Sequence, residues 1–195
     1  MSSFISIGFV FDKHQSITVL FSKFIEFLIA RGVLNKISYS IDENGDNWNE
    51  KIIKGYSSYE VTSLMVNNYF GKANITAAIL DDKKINFDIS ISKLQQEDFG
   101  FLIEIDIDQL FKVGNREELK NCSSMIITFC ETLFNKMDFC YAFCDHEVGI
   151  EYTWNEFSQL DKCIYSISII PQNEKFVIDL ASWEIDGLTS RSRKS

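Results

Sequence analysis

Ile85-Asn86-Phe87-Asp88-Ile89-Ser90-Ile91-Ser92 and, shortly after it, Phe101-Leu102-Ile103-Glu104-Ile105-Asp106-Ile107-Asp108 decide the fold. In the first, every odd position is apolar and every even one polar. The second repeats the pattern with Leu102 as its one exception. A period of two is that of a β-strand, whose successive side chains point to opposite faces. Alternation on one side only is what an antiparallel sheet shows when one face is covered and the other meets solvent. Segment 74–80, joined to the first by the turn Asp81-Asp82-Lys83-Lys84, completes a hairpin.

Working outward, 4–11 reads as a strand with Ile5, Ile7, Phe9 and Phe11 on one face. Ile17, Leu20, Phe21, Phe24, Ile25 and Leu28 then recur at three- and four-residue spacing, an amphipathic helix with Ser16 as N-cap and Gly32 as stop. A short strand is expected near 36–41, a polar loop with the Asn44-Gly45 turn dipeptide over 42–55, and a second helix over 57–69. Downstream, Leu119, Cys122, Ile126, Phe129, Cys130, Leu133 and Met137 form the stripe of a long helix over 116–136. Segment 139–145 is apolar on both faces and reads as a central strand. Segments 163–170 and 176–180 form a last pair joined around Pro171, the only proline, consistent with its exclusion from central strands. Segments 4–41 and 101–145 each read as strand, long helix, strand, a pseudo-repeat with too little residue similarity to assert a duplication.

The class is therefore α+β. We expect a single domain over 1–187 and a flexible basic tail over 188–195 carrying Arg191-Ser192-Arg193-Lys194. Its sheet is mainly antiparallel, with a parallel pair left open, packed on two long amphipathic helices and one shorter one. At 195 residues, 46% hydrophobic, with 17 phenylalanines, the chain has ample material for a core and is too apolar for intrinsic disorder. No segment approaches the run of about 18 apolar residues that spans a membrane. The opening Met1-Ser2-Ser3-Phe4 lacks the basic start of a signal peptide. Five scattered cysteines fit reduced thiols, so a cytoplasmic location is expected. With 19 basic against 28 acidic residues the net charge is −9, which argues against nucleic acid as a partner and favours fast encounter with a basic protein.

Four clusters invite a functional reading. Cys140, Cys144 and His146 lie an even number of residues apart and would share one strand face, but four-ligand zinc would need partners the chain lacks: no C-x-x-C exists and His14 is the only other histidine. No metal site and no cofactor is expected. Cys144 and His146 as nucleophile and base would lie too far apart along a strand and adjoin no oxyanion site. Glu104, Asp106 and Asp108, with Asp88 beside them, could act as acid and base or hold a cation; their ordinary role is the solvated face of a sheet, itself a docking surface for a basic protein. The run Asp42-Glu43-Asn44-Gly45-Asp46-Asn47-Trp48-Asn49-Glu50 has the outline of a calcium loop. With Gly45 as the obligatory glycine, however, Ser40 takes the first ligand position and Lys51 the place of the bidentate Glu. An acidic loop holding a tryptophan suits protein contact better. The P-loop, dinucleotide, zincin and nucleophile-elbow motifs are all missing.

Two stretches, Phe4-Ile5-Ser6-Ile7-Gly8-Phe9-Val10-Phe11 leading into the first helix and Phe143-Cys144-Asp145-His146-Glu147-Val148 after the long one, make the chain resemble the small acidic immunity proteins of bacterial polymorphic toxin systems. The resemblance implies a cytosolic, mostly α+β protein without catalysis that neutralises a cognate toxin, often a basic nuclease, by stoichiometric binding. It fixes no residue roles. Charge and composition instead suggest Asp42, Glu43, Asp46 and Trp48 as one contact patch, and Asp145, His146, Glu147 and Glu151 as a second on an exposed sheet rim. An enzyme using Glu104 and Asp106 or Cys144 and His146 remains the alternative, with a structural subunit behind it; the oligomeric state stays open.

Overall fold

The two alternating segments lie side by side in the middle of one nine-stranded sheet. The computed structural model describes residues 3–52, 57–95, 98–160, 163–173 and 175–189. Its elements run β1 (Phe4–Phe11), α1 (Ile17–Ile29), β2 (Gly32–Ser40), β3 (Trp48–Lys51), α2 (Ser58–Asn67), β4 (Phe70–Ala77), β5 (Ile85–Lys93) and β6 (Phe99–Asp106). Then follow α3 (Arg116–Phe134), β7 (Tyr141–His146), α4 (Trp154–Phe157), β8 (Ile167–Gln172) and β9 (Lys175–Leu180). The strand order is β3-β2-β4-β5-β6-β1-β7-β8-β9, and each neighbouring pair is antiparallel. The parallel pair left open by the sequence is therefore not formed. α1 and α3 do connect strands of like direction, but β4, β5 and β6 lie between β2 and β1, and β1 lies between β6 and β7.

Register turns alternation into faces. Ile105 lies between Phe87 and Ile5, and Ile103 between Ile89 and Ile7, so these residues share the front face with the buried stripes of α1, α2 and α3. Phenylalanine rings tie the layers together. Phe101 lies 4.8 Å from Phe11, 5.1 Å from Phe21 and 5.3 Å from Phe24 between ring centroids, and Phe9 reaches Phe129 of α3 at 6.0 Å. Each such ring contributes roughly 1.5–3 kcal/mol by leaving water. Side-chain oxygens of Ser16 and Asn115 accept from the N–H groups of Val19 and Glu118 and so define the starts of α1 and α3.

Among the described residues, the reverse face is covered at one end only. There Val10, Leu102, Tyr141 and Phe143 lie under the chain that follows β7, which contributes Val148, Phe157 of α4 and Tyr165. The rings stack closely: Tyr141 on Phe157 and Phe143 on Tyr165, each at 3.9 Å. Phe143 lies so flat against β1 that a Cβ at Gly8 would come within 2.1 Å of its ring.

Several expectations need correction. The 42–55 loop contains β3, an edge strand whose residues are all exposed and show no apolar alternation. The strand ending in Asp108 stops at Asp106, whose carboxylate accepts from the Asp108 N–H and opens a 3-10 turn, Ile107–Gln109; Asp108 thus leaves the strand face. Pro171 sits inside β8, beyond the residues that pair with β7, rather than in the connection to β9. Residues 154–157, which had no expected structure, form α4 with a capping box between Thr153 and Glu156. The basic run Arg191-Ser192-Arg193-Lys194 lies outside the described residues.

Candidate partner-binding face

The uncovered part of the reverse face is built from the even positions of the alternating strands. Asp88 pairs with Glu104 across β5 and β6, Asn74 with Asp88 across β4 and β5, and Ser6 with Glu104 across β1 and β6. The row is internally bonded: Asn74 donates to Asp88 at 2.7 Å, and Lys72 reaches across to Asp88 at 3.2 Å and Glu104 at 2.9 Å. Partial burial alone would lower the Lys72 pKa, but its hydrogen bond to Glu104 and the charges of Asp88 and Glu104 outweigh that and hold it above the ordinary value. The ammonium is thus a fixed charge in an acidic floor.

Two depressions share Lys72 and Glu104. One, of about 340 Å³, is lined by Phe4, Asn86, Asp88, Asp106 and Gln109. The other, of about 530 Å³, runs between Trp48, Tyr69 and Phe70 on one side and Ile150 on the other. The aromatic wall is unusually open, with Trp48 50%, Tyr69 57% and Phe70 45% exposed. Trp48 and Phe70 stack at 6.4 Å. A bared cluster of large aromatic rings beside a charged floor is the composition of an interface centre rather than of ordinary surface.

Asp42 holds that wall in place. Its carboxylate accepts from the N–H groups of Asp46 and Asn47, each at 2.9 Å, and from the Ser40 hydroxyl at 2.8 Å. The hydrogen bonds from Asp46, Asn47 and Ser40 lower its pKa to about 2. Gly45 turns the loop at φ +73°, a left-handed conformation that suits glycine, and its carbonyl accepts the Trp48 indole N–H at 2.8 Å. Asp42 is half-buried in this role, while Glu43 and Asp46 are exposed.

The second patch divides. Asp145, expected on an exposed rim, is fully buried: it accepts from the Ser166 N–H and hydroxyl at 3.1 and 2.7 Å and from the Trp183 indole at 3.3 Å. Trp183 and Ser166 lie far from it in sequence, so nothing local announces this burial. His146 is half-buried, with Glu147 at 3.8 Å, and Glu147 and Glu151 are exposed. Of this second patch only Glu151 adjoins the Trp48 groove in sequence, as the residue after Ile150. Sequence reasoning missed Tyr69, Phe70, Lys72 and Ile150. Phe70, Lys72, Asn74 and Thr76 alternate with Gly71, Ala73, Ile75 and Ala77, and that period places Phe70 on the polar face.

Cys144 is placed as a core residue rather than as a nucleophile. Cys144 belongs to the main core and Cys140 packs against the reverse cluster, so they do not share a face. Burial pushes the Cys144 thiol well above its ordinary pKa, opposite to what a thiolate needs. Among the described residues no three His, Cys, Asp or Glu side chains gather as metal ligands, and no helix is long and apolar enough to cross a membrane.

The model of the family described as Immunity protein 64 matches residues 1–191. A comparison with curated proteins found no match. Among solved structures, the chain is similar to one in the crystal structure of the toxic C-terminal tip of CdiA from Pseudomonas aeruginosa in complex with immune protein. That likeness covers 75% of this chain and 88% of that one, at 11% identity and a TM-score of 0.47. A Pseudomonas aeruginosa T6SS protein is similar over 74% of this chain and 40% of its own, at 11% identity and a TM-score of 0.33. Neither likeness carries a functional argument.

Proposed function

This chain belongs to the Immunity protein 64 family, and from that premise we propose that it meets its toxin with the open half of the reverse sheet face. Family membership makes it a toxin-neutralising immunity protein and not an enzyme. The siting rests on one observation above all: Trp48, Tyr69 and Phe70 stand exposed along a groove lined also by Lys72 and Glu104, which it shares with the neighbouring depression that carries Asp88. In such an arrangement the rings supply desolvated contact and the carboxylates supply steering and register. Glu43 and Asp46 belong to the Trp48 loop, Glu151 follows Ile150, and the Glu147 N–H donates to the Phe4 carbonyl; these exposed charges act mainly on encounter. His146 adjoins Glu147, Asp42 shapes the loop, and Asp145 is buried against Ser166 and Trp183.

The acidic surroundings fit a basic toxin held in a stoichiometric complex. Cysteines 122, 130, 140, 144 and 163 are all unbridged, which supports placement in the reducing cytoplasm. The siting is tested by titrating the purified toxin of the same locus with a triple variant, Asp46→Lys, Glu104→Lys and Glu151→Lys, at low salt. We expect the association rate to fall about tenfold or more, with the difference shrinking as salt is added. Equal rates for a variant whose circular dichroism matches the parent would remove the reading.

A further inference from the structure

The two edges of the sheet are finished differently. β3 is short, Trp48–Lys51, and carries charge: Lys36 meets Glu50 at 2.7 Å and Lys51 pairs with Glu60. Brevity and charge are the usual defences of an edge against pairing with another chain. β9 has neither. It offers Lys175-Phe176-Val177-Ile178-Asp179-Leu180, rich in strand-forming residues, with Val177 and Ile178 each 38% and Leu180 65% exposed.

The backbone of β9 points the right way for a partner. The Ala181 N–H donates to the Ser166 carbonyl at 3.0 Å. By the alternation of antiparallel hydrogen bonding, Asp179, Val177 and Lys175 then also turn their backbone groups toward β8. Phe176, Ile178 and Leu180 turn theirs outward. A second β9 related by a two-fold axis can pair antiparallel with this edge in few registers. The one centred on Val177 sets Phe176 against Ile178 of the other copy in hydrogen-bonded pairs, twice. It also sets Lys175 against Asp179 in the closer, non-hydrogen-bonded positions, again twice, with Val177 facing itself. Apolar meets apolar on the front face, and each charge meets its opposite on the reverse.

We propose that the chain forms a two-fold dimer through antiparallel pairing of β9 with β9 of a second copy, in the register centred on Val177. The contact is isologous, as closed two-fold interfaces are, and it continues the sheet across the dimer. It lies at the opposite end of the strand order from the Trp48 groove, so each copy keeps its own toxin-facing surface.

Sedimentation equilibrium on the full chain tests this. The parent should approach twice its 22.5 kDa mass at micromolar concentration. Asp179→Lys alone and Lys175→Glu alone each place like charges opposite one another twice, and each should weaken dimerisation roughly tenfold or more. The double variant, Lys175→Glu with Asp179→Lys, should dimerise like the parent, which a merely misfolded edge would not do. A parent that stays monomeric at all concentrations overturns the dimer. Single variants that dimerise as tightly as the parent, or a double variant that fails to recover while remaining folded, overturn this register. Because the groove is elsewhere, the single variants should still bind toxin, so this result stands or falls apart from the siting on the open face.

Discussion

The two faces of the sheet are made by the same strands and treated in opposite ways. On the front, Ile5, Ile103, Phe87 and their neighbours are sealed under α1, α2 and α3. On the reverse, the residues between them meet an aromatic cover at one end and, among the described residues, none at the other. The front face spends its side chains on the hydrophobic term that holds the molecule together. The open reverse face keeps large rings and paired charges where they add little to stability. Exposed ion pairs contribute about 0–1 kcal/mol, and half-exposed rings forgo much of their transfer energy. The contrast teaches where to look for function: at side chains that folding does not need.

That contrast breaks if front-face substitutions alter binding directly or open-face ones unfold the protein. Phe101→Ala removes a ring in contact with Phe11, Phe21 and Phe24 and should cost about 3–5 kcal/mol of stability in urea denaturation, with toxin affinity unchanged while the variant remains folded. Trp48→Ala should do the reverse: about 2 kcal/mol or more of affinity by calorimetry, and under about 1 kcal/mol of stability, since its ring is half-exposed. Asp145→Ala separates bracing from contact. It leaves the Ser166 and Trp183 donors without their acceptor and should cost about 1–3 kcal/mol of stability, with affinity following only as far as folding does.

The smallest effect concerns pH. The Asp42 pKa is lowered from 3.8 to about 2 by hydrogen bonds from Asp46, Asn47 and Ser40. A carboxylate depressed on folding favours the folded loop above its unfolded pKa, and that contribution is lost as pH falls through the folded value. The loop should therefore be unchanged from neutral pH to about 4 and loosen toward about 2. The Trp48 indole N–H resonance, bonded to the Gly45 carbonyl, reports it; in Asp42→Ala the resonance should already be shifted at neutral pH.

Much of the front face was legible because burial of one side forces a period on the sequence. The stripe of α3 and the alternation of β5 and β6 are that period written out. β7, apolar at both parities, also announced cover on both sides. What escaped notice had no such constraint. β3 is an edge strand with one neighbour and two exposed sides, so nothing compels it to alternate. α4 spans a single turn and is set by its capping box rather than by a stripe. Asp145 lies at a polar-face position, but alternation tells which way a side chain points, not what comes to cover it; Trp183 does so from far along the chain. The acidic loop with Trp48 was legible as a candidate contact, whereas its opposition to Ile150 across a groove depends on strand order that local pattern does not encode.

Backbone hydrogen exchange of the protein, free and saturated with its toxin, tests the central claim most directly. Slowed exchange should fall on residues 42–51, on β4 and β5, and on the chain around Ile150, with the exposed turns of α3 unchanged. Protection confined to α1 and α3, with the Trp48 loop exchanging as in the free protein, would place the toxin on the front face and contradict the account.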